Sequence, residues 1–344
     1  MNSLKSLFVL AGSILVLLVG IAVFNYQVDP QCYYGCKEID PNRATLNTYY
    51  QVAQRILAFP KTEVVILGSS RGENTPPLWI EEKTGLKTLN LSASGAELGT
   101  KLAFLTIAKE NTQLKKVIWL ADYFELISEN ADAKIKNTPA LRKYIDGGGI
   151  AEGELKQKLH DIQGLIDHNT LEASIYFLNN KDKTKLTQGA GSDIDYRFCE
   201  SSEFKGKETT ESLKKEVDLL YQSYTSAVIK PLQNKKAWNN FANELALVAQ
   251  KSVDVYVVIT PYHPEFLRRL KAEHKDIYEN HLKWIENIQG LASQGIRVLN
   301  YFDGISNTDA SPTYWNDGVH FTCRSSMLML EDIVQSWNQR SEKK

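Results

Sequence analysis

EVVILGSSR, residues Glu63 to Arg71, decides how this chain is read. A short run of β-branched and aliphatic residues ends in a glycine and two serines. This is the pattern of a buried strand that turns sharply and presents a hydroxyl at the carboxyl edge of a sheet. Open α/β sheets gather ligands and reacting groups at that edge, so Ser70 is the candidate nucleophile and Ser69 its alternative. Gly68-Ser69-Ser70-Arg71-Gly72 is not a phosphate-binding loop, because it lacks the Gly-Lys-Ser/Thr ending.

Outward from this stretch, strand and helix patterns alternate at short spacing. Leu46 to Phe59 reads as a helix stopped by Pro60, and Thr75 as the cap of a helix opening at Pro76-Pro77 and ending at Gly85. Lys87 to Leu91 is a second strand running into Ser92-Ala93-Ser94-Gly95. A helix from about Leu98 to Glu110 then leads to a third strand, Lys116 to Ala121. The pattern resumes with a strand from Val253 to Ile259, a helix from about Glu273 to Ala292, a strand from Ile296 to Asn300 and a closing helix from Ser325 to Asn338. Such alternation predicts an α/β fold, three-layered, with a mostly parallel central sheet. Between about Glu125 and Lys251 the pattern is polar and amphipathic, interrupted by Gly147-Gly148-Gly149 and by the turn-rich run from Gln188 to Asp195. The span is too long for a loop and reads as a helical insertion, either shaping a substrate cleft or packing separately.

With 344 residues, 43% of them hydrophobic, the chain can bury a full core. Its net charge of -1 provides no global basic field, which argues against a nucleic-acid partner. At the amino terminus, Leu7 to Phe24 carries no charge and is long enough to cross a bilayer. The exit Ala22-Val23-Phe24-Asn25-Tyr26 offers no small-x-small cleavage site. The stretch therefore reads as a signal anchor, residues 1–27, in preference to a cleaved signal peptide or a buried core helix. Lys5 on the short side places that end in the cytoplasm and residues from about Asn25 onward outside it, making residues 28–344 an extracytoplasmic domain. On that side Cys32, Cys36, Cys199 and Cys323 can form disulfides in any of three pairings; with the topology reversed they would be free thiols. No ligand spacing for zinc accompanies them, and no cofactor signature is visible.

A serine hydroxyl needs a base, usually a histidine held by a carboxylate. Trp315-Asn316-Asp317-Gly318-Val319-His320 supplies such a pair. Asp317 would fix the imidazole and His320 would deprotonate Ser70; taken alone, an Asp-x-x-His is as readily a solvated loop pair. Arg71 can bind an anionic polymer group or pair with Glu73. His263, flanked by prolines after a strand, can line the cleft or bond the backbone of its turn. His160, His168, His274 and His281 lie in helical stretches and read as surface or internally satisfied residues.

A strand ending in Gly-x-Ser, a glycine after the second strand and an Asp-x-x-His before the last helix together resemble the SGNH (GDSL-like) hydrolase superfamily over residues 60 to 340. The resemblance puts Ser70 at the nucleophile position, with Ser69 replacing the usual aspartate. It assigns oxyanion-hole N–H groups to Ser70 and Gly95, and the base and its carboxylate to His320 and Asp317. One block departs. Where the family has Gly-x-Asn-Asp, this chain has Leu120-Ala121-Asp122-Tyr123, and an ionised carboxylate would repel an oxyanion. Asp122 must then point elsewhere or cap its turn, or Asn90 or Arg71 must substitute as donor, or hydrolysis is weak.

The anchor, the Gly-Ser-Ser-Arg block and the insertion are similar to exported SGNH proteins of cell-envelope assembly, such as the alginate O-acetylation proteins and the D-alanyl transfer protein of lipoteichoic acid biosynthesis. That likeness implies a serine esterase or O-acyltransferase on a cell-envelope polysaccharide, with an acyl-carrying substrate and a membrane-bound O-acyltransferase as partner. It equally admits a catalytically inactive binding or scaffold subunit of a polysaccharide modification or export machine. A lipase or thioesterase at the membrane surface is a weaker third reading, for which a stretch such as Ile175 to Leu178 would have to line an apolar cleft.

Overall fold

A computed structural model describes residues 2–126, 133–145, 159, 162–180, 196–201, 204, 209–227 and 234–341. His160, Gly147-Gly148-Gly149 and Gln188 to Asp195 lie outside them. The chain divides into two compact units. One comprises Met1–Ala58 with Asp132–Thr187, the other Phe59–Ala131 with Gln188–Lys344.

The second unit is built on a five-stranded, all-parallel sheet: β1 (Val64–Leu67), β2 (Thr88–Asn90), β3 (Lys116–Ala121), β4 (Asp254–Ile259) and β5 (Arg297–Asn300), in the order β2-β1-β3-β4-β5. Every residue of β1 and β2 is buried, as are the last five of β3 and of β4. This is why these strands are near-continuous apolar runs without alternation. The strand order turns back between β1 and β3, and the crevice beyond the carboxyl ends of those two strands is where such sheets open. Leu67 pairs with Trp119 at that edge, so the segments after β1 and after β3, carrying Ser70 and Asp122, leave the sheet side by side.

Helices α3 (Pro77–Thr84) and α4 (Leu98–Asn111) follow β1 and β2. After β3 come α5 (Ala133–Asn137), α6 (Pro139–Arg142), α7 (His168–Asn179), α8 (Tyr196–Glu200), α9 (Thr210–Ala227) and α10 (Lys235–Gln250), then α11 (Pro264–Glu273), α12 (Lys275–Gly290) and α13 (Cys323–Ser341). Two sequence expectations change. Thr75 does not cap α3, whose N-cap is Pro76; its hydroxyl lies 3.4 Å from that of Ser326. The helix expected at Glu273 to Ala292 is α12, and an unexpected helix, α11, precedes it: Pro264 and the His263 ring start α11, and His274 separates the two.

In the first unit, α1 (Asn2–Val28) is a 27-residue helix, long and apolar enough to cross a membrane, and none of its apolar span is buried. Helix α2 (Thr48–Ala58) is capped by Asn47, whose Oδ1 accepts the Tyr49 and Tyr50 N–H groups while its amide donates to Thr138 Oγ1 at 2.8 Å. The Asp29 carboxylate gathers the N–H groups of Tyr33, Tyr34 and Gly35. These bonds close a turn that holds Cys32 beside Cys36.

Of the three possible cysteine pairings, the chain adopts Cys32–Cys36 and Cys199–Cys323. The second joins α8 to the first residue of α13 across 124 residues. Replacing both Cys199 and Cys323 by alanine should lower stability by about 2–4 kcal/mol, read as a fall in the denaturant midpoint; an unchanged midpoint would remove this bond from the fold's support.

Candidate active site

Ser70 opens a 3₁₀ turn, Ser70–Gly72, directly after β1. The turn is tight because Gly68 and Gly72 face Ser92: a Cβ on Gly68 would stand 2.6 Å from the Ser92 Oγ, and one on Gly72 would meet it closer still. The Ala93 N–H donates to the Gly68 carbonyl at 3.2 Å, which fastens the loop after β2 to the Ser70 turn. Gly95 ends that loop at φ +73°, a backbone state that favours glycine.

From the other end of the chain, residues 313–322 fold into a narrow loop. A bridge between Trp315 and Phe321 and the bond from Asn316 N–H to the His320 carbonyl hold it closed. Asp317 Oδ1 accepts the N–H groups of Val319 and His320, both at 2.8 Å, and Oδ2 lies 2.7 Å from His320 Nδ1. His320 Nε2 is 2.8 Å from Ser70 Oγ. The three side chains form one file, hydroxyl to imidazole to carboxylate, with the last two partly exposed. Burial would raise the Asp317 carboxyl, but the His320 bond, its charge and the two N–H groups hold it below its ordinary value. It therefore stays ionised and can orient an Nδ1–H tautomer. Gly318 allows the loop its path, since a Cβ there would stand 2.7 Å from the Phe266 ring.

Beneath the file lies a cluster of four buried charges. Arg71 points inward: Nε donates to the Val319 carbonyl at 3.0 Å, a terminal nitrogen donates to the Pro261 carbonyl, and Nη1 pairs with Asp122 Oδ1 at 3.2 Å. Its guanidinium sits 4.5 Å over the Tyr262 ring. Asp122 also accepts the Ser69 hydroxyl at 2.6 Å and the Thr260 hydroxyl at 3.2 Å. Lys101, fully buried on α4, bonds Glu125 and the Leu120 carbonyl and lies 3.5 Å from Asp122. Glu125 accepts the Trp119 indole and the Asp122 N–H. Two cations meet two carboxylates, which is how such burial is tolerated. Burial raises the Asp122 carboxyl, but Lys101 and Arg71 overcome it and hold it below its ordinary 3.8. For Glu125, burial prevails over Lys101, with the Asp122 charge adding to it, and its carboxyl is pushed up.

The residues considered for substrate binding are committed inside the protein. Arg71 pairs with Asp122, not with Glu73, and is 2% exposed. The Asn90 amide donates to the Gly72 and Thr75 carbonyls, both at 2.8 Å, so it faces no substrate. Asp122 is turned under the site. His263 caps α11 through Nδ1, reaches the Ala310 carbonyl through Nε2 and packs edge-on against Trp315. Burial lowers its pKa, so it braces the base loop as a neutral ring. His281 is buried on α12 with Nε2 accepting the Tyr224 hydroxyl at 2.8 Å, and burial takes its pKa down to about 4.

Lys101, Glu125 and Thr260 were not singled out from the sequence. The available signal was one lysine in the apolar run Leu98–Ala108 and a carboxylate three residues after Asp122.

No family model matches this chain, and no curated protein matches it. Among solved structures it is similar to a "putative acylhydrolase" from Bacteroides fragilis, at 14% identity and a TM-score of 0.40, covering 84% of this chain and 94% of that one. It is also similar to a "putative platelet activating factor" from Streptococcus pneumonia, at 12% identity and a TM-score of 0.38, covering 84% and 93%. At these values neither carries a residue's role across.

Two outcomes follow from the buried cluster. Asp122→Ala should cost about 3–5 kcal/mol by leaving cations uncompensated, whereas Glu73→Ala should stay within about 0.5 kcal/mol; equal denaturation midpoints would contradict the Arg71–Asp122 pairing. Because the folded-state pKa of Asp122 is lowered, its stabilisation is complete above the ordinary value of 3.8 and is lost as pH falls through the lowered one. The stability gap between wild type and Asp122→Ala should therefore be constant near neutrality and narrow below about pH 4, as measured by thermal unfolding across pH.

Proposed function

We propose that this chain is an SGNH-type serine esterase or O-acyltransferase, anchored by α1, with the domain carrying Ser70 outside the cytoplasm and a cell-envelope polysaccharide as its substrate. The observation that carries the reading is the file of Ser70, His320 and Asp317, with contacts of 2.8 and 2.7 Å. His320 takes the Ser70 proton as Oγ attacks an ester carbonyl, and Asp317 stabilises the resulting imidazolium. The N–H groups of Ser70 and Gly95 receive the oxyanion. His320 then protonates the departing alkoxide, leaving an acyl-serine. Water or a glycan hydroxyl, deprotonated by His320, releases the acyl group and restores the serine. A membrane-bound O-acyltransferase is the natural source of the acyl group in this reading.

A second reading, a non-catalytic glycan-binding or scaffold subunit, is favoured by one specific observation: the Asn90 amide is spent on backbone carbonyls and Asp122 stands where the family's oxyanion-donating asparagine would be. Covalent labelling with a fluorophosphonate separates the two. Modification at Ser70 that vanishes in His320→Ala is expected, together with a loss of ester turnover of roughly 10⁴-fold or more in Ser70→Ala. A folded protein that takes no label, and in which Ser70→Ala complements a deletion as well as wild type, would favour the binding subunit.

A further inference from the structure

The first unit holds a cavity of about 400 Å³ where α1 ends, lined chiefly by Tyr26, Tyr33, Tyr34, Arg142, Ile162 and Leu165. Its wall is organised. Asn25, fully buried on α1, donates to the Leu165 carbonyl at 2.7 Å, which fixes that segment against the helix exit. Gly164 admits Tyr34, since a Cβ there would stand 2.5 Å from the phenol oxygen. The Lys136 carbonyl receives Arg142 Nε at 2.6 Å and steadies the guanidinium.

At 1.5 Å per residue the uncharged stretch Leu7 to Phe24 spans roughly 27 Å, close to a bilayer's hydrocarbon thickness. If α1 crosses a bilayer, Asn25 and Tyr26 stand at the level of the headgroups, where tyrosine rings are favoured. Residues 132–146 carry Lys134, Lys136, Arg142 and Lys143 against two carboxylates, Asp132 and Asp146, a net charge of +2. Helix α7 packs on α1 and exposes Ile175 and Tyr176 at 48% and 56%. An apolar face, a basic segment and an aromatic cavity thus share one unit with the membrane-length helix.

We infer that this cavity binds the headgroup of an anionic phospholipid of the membrane that α1 enters. Arg142 faces the phosphate, the tyrosines flank it, and Ile162 and Leu165 meet the start of the acyl chains. The inference rests on α1 as a membrane span and not on the serine site, so fluorophosphonate labelling of Ser70 is independent of its outcome.

Native mass spectrometry of the full chain, released from detergent with phosphatidylglycerol or phosphatidylcholine added, tests it. Phosphatidylglycerol should be retained over phosphatidylcholine, and Arg142→Gln should weaken its retention roughly fivefold, the effect of one basic contact. Arg142→Lys should keep most of it, with unchanged circular dichroism in both variants. Equal retention of the two lipids, or no effect of Arg142→Gln, would overturn the assignment. Displacement of phosphatidylglycerol by inorganic phosphate, or by a neutral oligosaccharide stacking on the tyrosines, would also overturn it by moving the site to a soluble ligand.

Discussion

The guanidinium of Arg71 is the interaction on which the site's geometry depends. It is adjacent in sequence to Ser70, yet its partners come from the ends of three other segments: Asp122 after β3, Pro261 after β4 and Val319 beside His320. One rigid, five-donor group therefore sets the distance between the Ser70 turn and the His320 loop. A lysine would offer a point charge and could not hold two carbonyls and a carboxylate in one plane. Asp122 extends the same constraint backwards by gripping Ser69, so the residues on either side of Ser70 are both tied to one carboxylate.

The site is layered by polarity. At the sheet edge the four charges are shut away from water, where an unmatched one would be expensive. Above them His320 and Asp317 remain partly exposed. Apart from the Arg71 bond to Val319, the loop carrying His320 is supported by neutral contacts, with His263 under Trp315 and Gly318 against Phe266. None of these adds a charge that would compete with Asp317 for the imidazole.

The parallel sheet was legible because buried strands leave compact apolar runs, and Lys116–Ala121 emerges at the boundaries the sequence suggests. Ser70, Asp317 and His320 could be singled out together as candidates because their residue types and order match a serine, a base and its carboxylate, and the fold brings the three side chains into contact. The underlying cluster was not legible. Arg71 has Glu73 two residues away, which proximity along the chain favours, while its actual partner lies 51 residues on and is brought near only by the pairing of β1 with β3. Lys101 was hidden for the same reason: a lysine on a helix ordinarily lies at the surface, and only the packing of α4 against the sheet turns it inward. The short helix α11 was missed because its start depends on a histidine ring acting as a cap, a role that residue type rarely signals.

The separation of 250 residues between Ser70 and His320 bears on how the site comes into being during synthesis. A chain is made and threaded from its amino terminus, and folding begins before its end is available. β1, β2 and β3 can pair while the loop carrying Asp317 and His320 has yet to emerge. During that interval Ser70 is present and its turn can form, but His320 is not within reach. The contact between this hydroxyl and the imidazole is thus made only after residue 320 has emerged, and a product that stops short of it carries Ser70 without His320.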